Sequence, residues 1–206
     1  MESISPSEEP ALWKARAGFY KKIIERYADA IDDGERKTIP DLKSLVNPTD
    51  AAVLVLRGQL LEKAGIAEYS FDRDFWQYAE AAFALVQSLS RIDSEIEPSF
   101  WMRPADIVEL GAADAFDRAI LLCSLLAAGD CETARVLVLE LEGGNRHPVV
   151  VFYYREKQHL LDASQEAAVS TYSGSLEELL KHYSYEGKKV LKAAFEFNAQ
   201  DYNEFE

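Results

Sequence analysis

The sequence predicts an α+β chain in which a helical N-terminal part precedes one buried helix packed on a small antiparallel sheet. Three features point there. Apolar residues recur every three to four positions through the first half. The run Ala119 to Ala128 is apolar nearly all round. Behind it, three short runs rich in Val, Leu, Phe and Tyr follow one another across turn residues.

The first helix is expected after Ser7-Glu-Glu-Pro10, with proline placed as in a first turn. Trp13, Ala17, Tyr20, Ile24, Tyr27 and Ile31 mark its buried face, and it ends near Gly34. Pro48-Thr49-Asp50 is a second helix start, and the apolar run Val53 to Leu61 behind it is expected to be mostly buried. A third helix begins near Asp72 or Asp74 and turns Phe75, Tyr78, Ala82, Leu85, Val86 and Leu89 inward. Pro98 and Pro104 bracket an irregular stretch containing Phe100 and Trp101. Ala119 to Ala128 has no polar face and so belongs in the middle of a core, with Gly129 as its C-cap.

Strands are expected over residues 133 to 141, 147 to 154 and 158 to 162, joined through Gly143-Gly144-Asn145 and Arg155-Glu-Lys-Gln158 as an antiparallel meander. A small helix from Ser175 to His182 and a strand from Val190 to Phe197 follow. The acidic tail from Gln200 to Glu206 is expected to fray. This divides the chain into a helical extension, residues 1–70, and one compact core, residues 71–206.

Composition narrows the function classes. The chain has 206 residues, 48% of them apolar and 28% charged, which suits a globular domain that needs no disulfide staples. The net charge of −14 repels phosphate backbones and anionic headgroups, so neither nucleic acid nor membrane is an expected partner. Met1 to Pro10 lacks a basic segment followed by an apolar run, and no stretch approaches the ~18 apolar residues of a membrane span, so a cytoplasmic location is expected. Cys123 and Cys131 make no disulfide framework. No ligand-spacing motif supports a metal site, and no cofactor is expected.

Three positions stand out for comparison. One is the start of the buried helix, Gly111-Ala-Ala-Asp-Ala115-Phe-Asp117-Arg-Ala119. The others are His147, opening a strand, and Asp162, closing the next strand fifteen residues later. This order resembles the core of the transglutaminase-like superfamily, the papain-like cysteine-triad fold. There a nucleophilic cysteine heads a buried helix, a histidine begins a strand and an aspartate ends its neighbour. The family's helix reads Gly-Asp-Cys, an acidic residue two positions on, alanine four on, then paired leucines. Here Asp114 precedes Ala115, Asp117 and Ala119 follow at those spacings, and Leu121-Leu122 and Leu125-Leu126 supply the pairs. Phe100-Trp101-Met-Arg-Pro104 is similar to the aromatic-proline approach of many microbial members. The resemblance covers about residues 75 to 165 and hardly touches the first 70.

The resemblance implies a cleft in which a thiol at a helix N-terminus is ionised by the helix dipole and a histidine, while an aspartate fixes the imidazole. Trp101 is the implied oxyanion or cleft donor, and Asp114 lies beside the nucleophile position, where it also fits as the helix N-cap. Two departures stand out: Ala115 occupies the cysteine position, and Ala113 replaces a glycine. A methyl group cannot attack a carbonyl, and losing the nucleophile of such a triad costs on the order of 10⁶ in turnover. Cys123, two turns further on, and Cys131 are read as packing residues, and His159 and His182 as structural.

Two functions remain. One is an acyl-transfer enzyme on peptide or amide substrates (hydrolysis, deamidation or cross-linking) whose nucleophile has been replaced. The other is a natural non-catalytic member that binds a peptide or protein partner.

Overall fold

A computed structural model describes residues 13–25 apart from 15 and 23, residues 38–92 and residues 101–205. The described positions of 13–25 are helical (α1). They are followed by α2 (Ile39–Leu45), α3 (Ala51–Lys63), α4 (Phe71–Gln87), α5 (Pro104–Leu110) and α6 (Ala115–Ala128), and later by α7 (Leu176–His182). A short parallel pair, β1 (Ser90–Arg91) and β2 (Ala112–Ala113), lies directly before α6. The main sheet contains β3 (Arg135–Leu141), β4 (Arg146–Tyr154), β5 (Lys157–Leu161), β6 (Ser173–Gly174), β7 (Ser184–Tyr185), β8 (Lys188–Phe197) and β9 (Tyr202–Glu204). Its order is β6-β5-β4-β3-β8-β7, with β9 also paired to β8, and every pairing is antiparallel.

Burial on both faces explains the near-continuous apolar runs of β3 and β4. Side chains alternate across a strand, so Val136, Val138, Val150 and Phe152 join the core containing α4 and α6. Leu137, Leu139, Val149 and Val151 face the other way, toward Leu179 and Tyr183. Helix α6 is buried from Asp117 to Leu126 without a break, as an all-apolar helix must be. Phe19, Leu45, Val53 and Leu60 belong to the same core as α6. Among the described residues no helix is long and apolar enough to cross a membrane.

The expected meander and buried helix are present, but several details differ from the sequence expectation. In α1, Trp13, Ala17 and Ile24 are exposed while Phe19 is fully buried, so the helix presents a different face; Tyr27 and Ile31 lie outside the described residues. The run behind Asp50 is not mostly buried: α3 buries Val53 and Leu60 but leaves Leu54 and Val55 exposed, because only one face meets its neighbours. Helix α4 begins at Phe71, slightly before Asp72. Pro104 opens a helix instead of closing an irregular stretch, and Gly111, at φ 66°, ends it. Phe100 lies outside the described residues. Helix α2 was not expected, although Thr38 and Asp41 form a reciprocal capping box. The acidic tail does not fray, since Tyr202–Glu204 pairs with β8. Gly129 is the C-cap of α6 at φ −87°, so backbone freedom is not its purpose. A Cβ there would lie 2.3 Å from the ring of Tyr78, whose hydroxyl donates to the Leu125 carbonyl at 2.7 Å.

Arg118 joins these parts. Only 5% exposed, its guanidinium donates to the carbonyls of Val86, Gln87 and Leu89 at the end of α4, to Ala113 in β2 and to Ala163 just after β5. A cation at a helix C-terminus meets the negative end of the dipole, and a forked donor spreads over several carbonyls as an ammonium cannot. Arg118→Met should lower unfolding stability by about 3 kcal/mol or more, because those carbonyls lose a buried donor. Arg118→Lys should fall between the two. Urea unfolding midpoints check the order, and a methionine variant within about 1 kcal/mol of the parent would remove Arg118 from this role.

Candidate functional site

Ala115 is the first residue of α6, and Asp114 is its N-cap. The Asp114 side chain accepts from the Asp117 amide at 2.8 Å. Asp114 therefore serves as a cap, which the sequence had allowed. The N–H groups of a helix's first turn have no partner within the helix, so those of Ala115 and Phe116 point outward from its start. Asp117, fully buried, accepts from the Met102 amide at 2.7 Å and ties the segment before α5 to this turn. That brings Trp101 alongside. Its ring stacks on Phe116 at 4.6 Å with planes 12° apart, and also on Phe197. Trp101 thus packs between the start of α6 and the end of β8.

The second half of the site is a buried ion-pair geometry. His147 is 3% exposed and Asp162 is 2% exposed, and His147 Nε2 lies 3.0 Å from Asp162 Oδ2. That bond uses Nε2, and Nδ1 is the other ring nitrogen. The same Oδ2 accepts from the Tyr183 hydroxyl at 2.7 Å and from Gln165 Nε2 at 2.7 Å, while Oδ1 accepts from the amide and hydroxyl of Ser164. Burial alone would push the carboxyl up. The hydrogen bond and charge of His147, with the bonds from Ser164 and Tyr183, outweigh it and hold Asp162 well below the usual carboxylate range. Burial, then the Asp162 charge, pushes the Tyr183 hydroxyl far up, so it stays a donor.

Strand parity puts His147 on the face of β4 shared with Val149 and Val151, toward Tyr183, whereas α6 backs the opposite face through Val150 and Phe152. The helix start and the pair are connected beyond the strand ends by two bridges. Arg118, one turn after Ala115, donates to the carbonyl of Ala163, the neighbour of Asp162, at 3.0 Å. Arg91 pairs in register with Ala113, while its guanidinium donates to the Tyr185 hydroxyl at 3.1 Å. Tyr185 in turn stacks on His147.

Sequence reasoning named His147, Asp162, Asp114, Trp101 and the Ala115 position as candidates; it did not name Gln165, Tyr183, Tyr185, Arg91 and Arg118, which the structure places around them. Only Ser164 and Gln165, next to Asp162, carried a local cue, as residues able to fold back onto it. Cys123 and Cys131 are buried, and burial pushes both thiols up, which keeps them protonated near neutral pH. His159 is 6% exposed and lies against Phe152 and Trp76; burial lowers its basicity. Among the described residues, no group of three or more His, Cys, Asp or Glu could hold a metal ion.

Because folding lowers the pKa of Asp162, its contribution is complete above the unfolded value, near pH 4, and is lost as pH falls below it. Asp162→Asn should cost on the order of 3 kcal/mol at pH 7 and should flatten the fall in stability between about pH 5 and pH 2. Denaturant titrations across that range check it. A variant with the parent's slope would show that another carboxylate governs acid unfolding.

No protein-family model and no curated protein matches this chain. Solved structures do. LapG of Legionella pneumophila superposes in its EGTA-treated form with a TM-score of 0.53 and 14% identity, covering 90% of this chain and 85% of that one. A second LapG structure gives 0.51 and 14%, covering 88% and 85%. At that identity the likeness is one of fold, and the chain has the transglutaminase-like α+β fold.

Proposed function

We propose that this chain is a transglutaminase-like protein with a Cys-His-Asp-type cleft for acyl transfer on peptide or amide substrates, silent as it stands because Ala115 occupies the nucleophile position. The observation that carries this reading is the buried His147–Asp162 pair, with Asp162 held by Tyr183, Gln165 and Ser164 as well. Burying an imidazole and a carboxylate together is costly unless every lone pair is used. A surface that only binds a peptide has no use for so oriented an acid–base pair.

In such a cleft a thiol at position 115 would lose its proton to His147 Nδ1, favoured by the positive end of α6. The thiolate would attack the amide carbonyl, and the outward N–H groups of Ala115 and Phe116 would stabilise the oxyanion. His147 would return its proton to the leaving amine, with Asp162 stabilising the imidazolium throughout. Water would release an acid, and a second amine would give a cross-link.

One observation favours the alternative, a natural non-catalytic module that binds a peptide or protein. Ala113 replaces the glycine of the resembling helix pattern, and its methyl is fully buried. Restoring the thiol separates the two readings. Ala115→Cys should alkylate with iodoacetamide near pH 6 faster than a free thiol, by on the order of 10-fold or more, while Cys123 and Cys131 stay slow. Adding His147→Ala should remove most of that advantage. A restored thiol no faster than a model thiol would sink the acyl-transfer reading and leave the binding role.

A further inference from the structure

Tyr185 lies over the imidazole of His147. The ring centroids are 3.7 Å apart and the planes are within 20°. The tyrosine is fixed from two sides. It is the last residue of β7 and pairs with Lys188, so only Glu186 and Gly187 form the loop of its hairpin. Both have positive φ, 49° and 76°, as in the tight type I′ turn that matches strand twist. At the other end of the ring, Arg91 Nη2 donates to the hydroxyl at 3.1 Å, with Glu186 Oε1 at 3.5 Å from the same nitrogen. Arg91 itself sits in β1, in register with Ala113 two residues before Ala115.

We propose that Tyr185, anchored by Arg91, is a positioning residue for His147: its ring fixes the imidazole plane and supplies a π face to the imidazolium, and its anchor ties that plane to the strand leading into α6. The inference rests on the reading of His147 as the acid–base group of the cleft. A carboxylate at Nε2 fixes one edge of an imidazole but leaves the ring free to pivot about that bond. A flat partner at contact distance removes that freedom. The quadrupole of the tyrosine also attracts the protonated ring more than the neutral one.

Among the described residues, three groups are placed around the imidazole. Asp162 is at its edge, the Tyr185 ring is on one face, and the Tyr183 ring lies 6.5 Å away. Arg91 and Glu186 lie beyond the Tyr185 hydroxyl. Burial pushes that hydroxyl up, so it remains neutral.

The test reads His147 by proton NMR in the protein with Ala115 in place, using His147→Gln, His159→Gln and His182→Gln to assign the three imidazole signals. Tyr185→Leu keeps an apolar cover but removes the π face. It should abolish the ring-current displacement of the His147 signal and lower its titration midpoint by about half a pH unit or more. Tyr185→Phe and Tyr185→Trp keep an aromatic face and should retain most of both. Arg91→Met and Tyr185→Phe delete the same hydrogen bond, so the double variant should move the His147 signal by less than the sum of the two single changes. A folded Tyr185→Leu protein with the parent's signal and midpoint would overturn the proposal. Should that variant not fold, Arg91→Met, Tyr185→Phe and their double variant decide the matter, since additive shifts would break the anchor argument. Slow labelling of the Ala115→Cys thiol would overturn acyl transfer while leaving this titration standing.

Discussion

Arg118 is the constraint on which the rest of the molecule depends. A guanidinium this deeply buried is tolerable only where donors and acceptors match closely, and here it meets carbonyls from three separate stretches of chain. It gathers the end of α4, the strand leading into α6 and the turn after β5 around a single planar group. Neither the start of α6 nor the position of Asp162 is set by its own element alone. Both are placed by this shared charge, and the site inherits its geometry from it.

Asp162 plays the corresponding part on the other side. Its two oxygens accept from a histidine, a tyrosine, a glutamine and a serine, so nearly every lone pair is used. In a low-dielectric surrounding such a network is strong when complete and expensive when a member is missing. The donors come from the strand, the loop and the segment after α7. The carboxylate therefore holds the sheet to its small helix as well as orienting the imidazole. Gln165 continues outward, its side chain also reaching the Ser184 carbonyl, while Gln87 of α4 donates to the Gln165 and Ala167 carbonyls. The two networks meet there.

Much of the fold was legible in the residues. The α6 run and the β3–β5 meander stood out because full burial demands unbroken apolar sequence, and Gly143 and Gly144 mark the turn with positive φ. The errors have a common cause. The faces of α1 and α3 were inferred from apolar residues alone, yet which of two apolar stripes meets the core depends on where neighbouring helices lie. The tail looked too acidic to pair, but main-chain bonds to β8 do not depend on side-chain charge.

By itself the sequence determined the order of the elements: a helix starting at Ala115, a strand opening near His147 and a strand closing near Asp162, which the structure ends at Leu161. Local periodicity and turn chemistry suffice for that, because they act over a few residues. Only the tertiary structure decided which groups support the pair. Tyr183 reaches Asp162 across 21 residues, Arg118 reaches Ala163 across 45, and Arg91 reaches Tyr185 across 94. Side chains so far apart in sequence leave no periodic trace, and their contacts exist only once the sheet has curled and the helices have docked.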